Sequence, residues 1–452
     1  MKSTPIGRQA VVVGAGMAGL PAARALADYF DDVVVLERDT LPLDASHRSG
    51  TPQARQTHGL LGGGQRALGE LFPGFAEDLA SAGAVPLRMA LDNRLERPGF
   101  DPFPNRDLGL LVYAMSRPLI ESAVRHRVKQ HANITIRERC RACDLVASAD
   151  GAGVSAIRFE NSNGQSETLA ADLVVEASGR GGLTVGFLEA IRRPRPKETT
   201  IGVDIVYATA VFAVPDDASA DWKAVMTFDP PAQGGLAGIM LPLERNRWIV
   251  TLVGRHGHRP PDDRAGFTAY AQRLRTPTIY EAIKHAEQLD DVACFGFPAS
   301  VRRHFDRLEE FPRGLLPLGD SICRFNPVYG QGMSVAALEA CLLRGLLASR
   351  AAESDPLAGL AKSFFAEADV LIETPWSLAA FPDLADPRTK GQRPEDFEQT
   401  LAFSEGLFQV AAADPSVHKL LMEVLQLLKP RSVLNEPELV ERVKAVRPTV
   451  DA

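Results

Sequence analysis

The chain has 452 residues, 45% of them apolar and 24% charged, with a formal net charge of −7. That length leaves room for two or three domains around a large core, and the balance of residue types argues against a disordered or membrane-spanning chain. An acidic surplus argues against a nucleic-acid partner, five cysteines, an odd count, fit reduced thiols in a cytoplasmic protein, and no long apolar run announces a membrane span or signal peptide.

Ala10-Val11-Val12-Val13 reads as a strand buried on both faces of a parallel sheet, and residues 20–30 as the helix after it. Between them stands Gly14-Ala15-Gly16-Met17-Ala18-Gly19. Gly14 permits a tight turn, Gly16 lets a pyrophosphate approach the backbone, and Gly19 lets the helix pack on the strand. Met17 and Ala18 complete this turn at a helix N-terminus, whose free N–H groups favour an anion. The next strand, 33–36, ends in Glu37, 18 residues past Gly19, where a carboxylate accepts ribose hydroxyls and repels a 2′-phosphate. FAD or NAD therefore suits this turn better than NADP.

Residues 86–106, with several Pro and Gly, read as an extended connection. A strand at 110–115 leads into Ser116-Arg117-Pro118, a capped helix start that puts Arg117 within reach of phosphate. Cys140-Arg141-Ala142-Cys143 has redox-motif spacing, but it falls in a strand without a second pair, so neither a metal nor a redox site is expected. Strand 172–177 runs into Ser178-Gly179-Arg180-Gly181, a second turn facing the nucleotide. Segment 191–198, heavy in Arg and Pro, marks a crossing into strands 202–214, 236–243 and 247–253, with Glu244-Arg245-Asn246 as a hairpin turn. Strand 314–320 closes on Gly319-Asp320, and a loop through Phe325, Asn326, Pro327, Gly330, Gln331 and Gly332 opens a helix at 333–349. Asp320 suits ribityl hydroxyls, and the helix start suits negative charge on a reduced flavin ring. NAD has no ribityl chain, so this turn selects FAD. Beyond Asp355 helical pieces are expected at 357–373, 395–412, 416–428 and 436–444, broken at Pro375, Pro382, Pro387, Pro394 and Pro415.

These residues, with Pro52-Gln53-Ala54-Arg55-Gln56-Thr57-His58, Arg247-Trp248-Ile249-Val250-Thr251, Phe305-Asp306-Arg307-Leu308 and the stretch 318–334, resemble the FAD-dependent monooxygenases of the aromatic-hydroxylase fold. The resemblance is closer to their branch that includes bacterial polyether epoxidases and other FAD-dependent oxidoreductases, and it covers roughly residues 8–350. The expected fold is α/β. It joins a Rossmann-like FAD-binding domain of the glutathione-reductase type (6–85, 107–190 and 297–350) to an inserted antiparallel β-sheet substrate domain (86–106 and 191–296) and a helical C-terminal region (351–452).

The resemblance implies that Gly14, Gly16 and Gly19 hold the pyrophosphate and Glu37 the adenosine ribose, with Arg38 beside the adenine. Arg55 would lie near the isoalloxazine or pyrophosphate, Arg117 near the ribityl–phosphate region, and the backbone near Cys143 would pair with adenine. Asp320 would bind ribityl and phosphate, Pro327 would shape the loop, and Gly330, Gln331, Gly332 and Met333 would line the pyrimidine side of the flavin. His58, Tyr207 and Phe325 are candidates for the substrate pocket, and no catalytic residue or metal ligand is assigned. The implied activity uses a flavin hydroperoxide to epoxidise or hydroxylate a lipophilic or aromatic small molecule of secondary metabolism, with dioxygen as co-substrate. A dehydrogenase or ene-reductase is the alternative.

Aromatic hydroxylases proper have Asp-Gly where this chain has Ser178-Gly179. The electrons are accordingly expected from NAD(P)H or from a separate flavin reductase. Trp222, Trp248 and Trp376 are scattered, unlike the Trp-x-Trp-x-Ile stretch of flavin halogenases, and Ala237-Gly238-Ile239-Met240-Leu241-Pro242 departs from the aromatic segment of prenyl-chain reductases.

Overall fold

The computed structural model describes residues 5–218, 220–230 and 235–446, so the last six residues of the C-terminal region lie outside the described residues. Five parallel strands form the central layer in the order Leu315–Pro317, Leu173–Glu176, Gly7–Val13, Phe30–Leu36 and Ile134–Arg137. Alternation along each strand divides its side chains between two cores. Val12, Val35, Val175 and Leu316 face one core with helix residues such as Leu20, Ile120, Val124, Ala336 and Leu343. Val11, Val34, Val174 and Leu315 face a second core, built on the three-stranded antiparallel layer Arg141–Ala147, Val154–Glu160 and Ser166–Ala170. Both faces are covered, which is why these strands read as continuous apolar runs.

Seven strands form the second layer, in the order Cys323–Arg324, Ala293–His304, Lys197–Ala213, Arg247–Arg255, Ala237–Leu243, Ala224–Phe228 and Asn93–Glu96. The expected hairpin is present, with Arg245 and Asn246 at φ 63° and 51° in its turn, as a tight connection between right-twisted strands requires. One face of this sheet, through Ala208, Ala210, Phe212, Val250 and Leu252, packs on helices Arg264–Ala271 and Thr278–Ile283. The other face carries Tyr207, Val253 and Phe297 in contact with Ala380, Leu384 and Phe397 from the C-terminal helices. Strand Ala293–His304 continues this sheet past residue 297, where the sequence reading returns to the cofactor layer. Its pairing with Lys197–Ala213 runs from Ala293 to His304, so backbone hydrogen bonding sets the extent of the sheet here.

The breaks expected at Pro375 and Pro382 are absent: both prolines lie inside one helix, Leu360–Leu384. Each removes an N–H and costs about 3 kcal/mol in a helix interior. Burial of Leu360, Phe364, Phe365, Ile372, Ala379, Ala380 and Leu384 on the same helix offsets that cost. Pro415, by contrast, opens the helix Pro415–Leu425, where its missing N–H is harmless. Helix Gly332–Arg350 is long and apolar enough to cross a membrane by length and composition, with a mean hydropathy of 1.4. It packs as a core helix, with Val335, Ala337, Ala340, Leu343 and Leu347 buried.

Candidate functional site

The three glycines of the first turn meet three different surroundings. Gly14 has φ 101°, and a Cβ there would come 2.8 Å from the Ala177 carbonyl oxygen. A Cβ on Gly19 would collide with the carbonyl oxygen of Gly14, so a side chain there cannot coexist with this helix–turn contact. A Cβ on Gly16 meets nothing nearer than Arg48 Nη2 at 3.9 Å, which leaves its backbone open to an incoming group. Met17 is buried and Ala18 half-buried at the helix start. The second turn lies directly against the first: a Cβ on Gly319, which has φ 68°, would approach the Ala18 Cβ to 2.8 Å. Two segments three hundred residues apart in sequence thus pack against each other.

Glu37 is buried beside the first turn. Its carboxylate accepts from Ala15 N at 2.7 Å and Asp39 N at 3.0 Å, and Oε2 keeps a lone pair for a ribose hydroxyl. Arg38 is exposed and donates to the Gly50 carbonyl at 3.3 Å. Arg48 is one residue here that sequence reading missed. Its side chain, 7% exposed, pairs with Asp39 at 2.7 Å, Glu37 at 3.3 Å and Glu121 at 2.7 Å. Glu121 in turn holds Arg117 at 3.1 Å. Burial pushes the Glu121 carboxyl up, but Arg117 and Arg48 outweigh it and hold it below its ordinary value. A separation of 73 residues between Arg48 and Glu121 left no local pattern to find.

Arg117 opens the helix Arg117–Lys129, where Ser116 Oγ accepts from Leu119 N at 3.3 Å as the expected cap. Its Nε is buried without a hydrogen-bond partner, and so is Gln331 Oε1 beyond the second turn. A buried polar atom without a partner is costly, and a polar ligand reaching these atoms would relieve that cost. Asp320 is half-buried, and burial pushes its carboxyl up to about 6 against the pull of Arg324 and Arg117. Beneath it, Glu339 accepts from Gly319 N at 2.6 Å. Gly330, with φ 66°, lies against Gly59, Gly332 is half-buried, and Met333 is buried. Pro327 is exposed, and Cys143 is exposed on a strand bulge between Ala142 and Asp144, out of register with its neighbour. The open backbone at Gly16, the two orphaned atoms and the Asp320 carboxyl fit a dinucleotide with a polar chain between its rings.

The segment carrying Arg55 and His58 is fastened to the antiparallel sheet. Thr209 donates to Gln56 Oε1 at 2.5 Å, and the Thr209–Thr251 and Thr251–Thr57 hydroxyl pairs are each 2.6 Å apart. Since Thr209 gives its proton to the Gln56 carbonyl, Thr251 must donate to Thr209 and Thr57 to Thr251. Arg55 is exposed. Burial, with Arg117 nearby, pushes His58 down to about 4, so it is neutral near pH 7. Its Nδ1 lies 2.8 Å from the Gln56 carbonyl oxygen and must donate there, which leaves Nε2 as an acceptor.

Of the other pocket candidates, Tyr207 is buried and donates to Asn326 Oδ1 at 2.7 Å, while Phe325 is buried in the main core against Trp376. Among the described residues, His304, Asp306 and Asp369 bring metal-ligand atoms within 4.8 Å of one another. Arg302 already pairs with Asp369 at 2.6 Å and Arg307 with Asp306 at 3.7 Å, so cationic side chains supply the compensating charge.

Residues 8–361 match the family described as FAD binding domain. The chain is 35% identical over 359 residues to Protein Rv3254 of Mycobacterium tuberculosis (strain ATCC 25618 / H37Rv), across 75% of this chain and 73% of that protein. Solved structures share the fold at low identity. The flavin-dependent brominase Bmp2 superimposes with a TM-score of 0.69 at 13% identity, covering 97% of each chain. A flavoprotein/dehydrogenase from Cytophaga hutchinsonii gives 0.68 at 14%, covering 97% of this chain and 98% of that one. PqsL of P. aeruginosa in complex with 2-aminobenzoylacetate gives 0.60 at 16%, covering 84% and 97%.

Proposed function

Because the chain belongs to the FAD binding domain family, we propose that it is an FAD-dependent monooxygenase that epoxidises or hydroxylates a lipophilic or aromatic small molecule. The observation that carries this reading is the setting of Val328 in the loop before Gly330. It packs into two apolar clusters of the antiparallel sheet, one with Tyr207, Phe228 and Phe295, the other with Met226, Ile239 and Ile249. Such a surface beside the flavin loop suits an apolar substrate and keeps water from the reacting centre.

Bound FAD, once reduced, supplies the electrons that activate dioxygen, and the difficult chemistry belongs to the cofactor. The work of the chain is to hold and orient. Glu37 would take the ribose, the backbone at Gly16 and the Arg117 guanidinium the phosphates, and Asp320 the ribityl hydroxyls, with Gln331 at the pyrimidine side. Neutral His58 offers Nε2 as an acceptor without adding positive charge to the cleft. Ser178 Oγ donates to Glu176 at 2.8 Å, and that carboxylate also accepts from Leu183 N at 3.1 Å and Thr184 N at 2.7 Å. The Ser178-Gly179 pair therefore presents no free carboxylate to a nicotinamide. This supports electron delivery by NAD(P)H bound in another way, or by a separate flavin reductase.

The test is mass spectrometry of reactions run under isotopically labelled dioxygen with FAD, a reductant and candidate lipophilic substrates. The expected product is heavier by one labelled oxygen. A product changed by two hydrogens, with no label, would make the protein a dehydrogenase or ene-reductase instead.

A further inference from the structure

Asp383 lies near the end of helix Leu360–Leu384, beyond the segment 8–361 matched by the family. Its side chain is 1% exposed, and among the described residues its side-chain hydrogen bonds lead to the flavin loop and to the sheet above it. Asn326 Nδ2 donates to both carboxylate oxygens at 2.9 Å, and the Tyr329 hydroxyl donates to Oδ1 at 2.9 Å. Arg255, from strand Arg247–Arg255, donates to the same oxygen at 2.8 Å. Asn326 Oδ1 in turn receives the Tyr207 hydroxyl at 2.7 Å and Val328 N at 3.2 Å. Asn326 and Tyr329 flank Pro327 and Val328, so the carboxylate grips the loop at both ends of its short 3₁₀ turn.

We propose that Asp383 is a positioning residue through which the C-terminal helix sets the conformation of loop 326–331 and with it the grip on the flavin ring. The inference rests on the FAD reading above. A buried carboxylate is strongly disfavoured unless it is paired and fully hydrogen-bonded, and here one Arg and two neutral groups, the Asn326 amide and the Tyr329 hydroxyl, complete it. Burial holds the Tyr207 and Tyr329 hydroxyls well above their ordinary pKa. Both therefore stay protonated as donors. Asp383 is itself fixed from behind. After the helix ends, Gly202 N donates to Lys390 O at 2.7 Å and Lys390 N to Gly202 O at 3.1 Å, pinning the chain to the bulged part of the long strand. Moving the helix end would therefore move the loop.

The experiment compares wild type, Asp383→Asn and the double variant Arg255→Met/Asp383→Leu in FAD titrations followed by flavin absorbance and fluorescence, alongside thermal unfolding of the FAD-free proteins. The double variant removes both buried charges together, so no unpaired Arg255 is left, and it carries the test if Asp383→Asn does not fold. The expected result is an FAD dissociation constant raised by about tenfold or more and an altered flavin band shape, in a variant whose unfolding without FAD remains cooperative. An affinity within about twofold of wild type, with an unchanged flavin band, would overturn the proposal. A wild-type protein that binds no FAD would overturn the FAD reading, and this inference with it.

Discussion

Glu339 is fully buried, and burial pushes its carboxyl up to about 8 although Gly319 N donates to it. In the unfolded chain the same group titrates near its ordinary 4.5. Between those values the native protein holds one proton more than the unfolded one. Its contribution to stability is therefore full below about pH 4.5 and is lost as pH rises toward 8, by roughly 1.4 kcal/mol per pH unit. Glu339→Gln keeps an acceptor for Gly319 N and removes the titration. Chemical denaturation of the FAD-free protein at pH 5 and pH 8 checks this: the variant should gain on wild type at the higher pH, whereas parallel pH dependences would contradict the assignment. At this scale the sequence reading singled out the glycines, Glu37, Arg117 and Asp320, because each sits in a pattern fixed by a neighbouring strand or helix end. Arg48, Glu339 and Asp383 stand in no such pattern. Their partners fall at no helix or strand spacing: Arg48 and Glu121 are 73 residues apart, and Asp383 and Asn326 57.

The elements that place those residues were legible where one local rule dominates. The strand before Gly14, the capped start at Ser116 and the hairpin at Arg245-Asn246 follow from burial on both faces, a cap and turn chemistry. The helix through Pro375 and Pro382 was not, because two local penalties are outweighed by an apolar face that only tertiary packing defines. The first turn yields a paired prediction. Gly19→Ala inserts a methyl where a Cβ collides with Gly14 O, and should lower the stability of the FAD-free protein by about 3 kcal/mol. Gly16→Ala meets no atom nearer than 3.9 Å, so it should leave that stability unchanged and weaken FAD binding by occupying the space for pyrophosphate. Unfolding curves and FAD titrations separate the two. Equal effects of both variants on stability would contradict the division of roles between these glycines.

For the whole molecule, the α/β class and the order of the layers were readable, since strand–turn–helix repeats and an inserted antiparallel run admit few arrangements. The way the layers lock together was not. Gln56, Thr57, Thr209 and Thr251 tie the cofactor layer to the sheet, and Asp383 ties the C-terminal helix to both, through side chains that have no meaning until the layers meet. Two glycine turns that form a single cradle would take one FAD per chain. Titration of the purified, flavin-free protein with FAD tests it directly. Saturation at one FAD per chain is expected, with a yellow protein that keeps its flavin through gel filtration. A protein that stays colourless after incubation with excess FAD would contradict it.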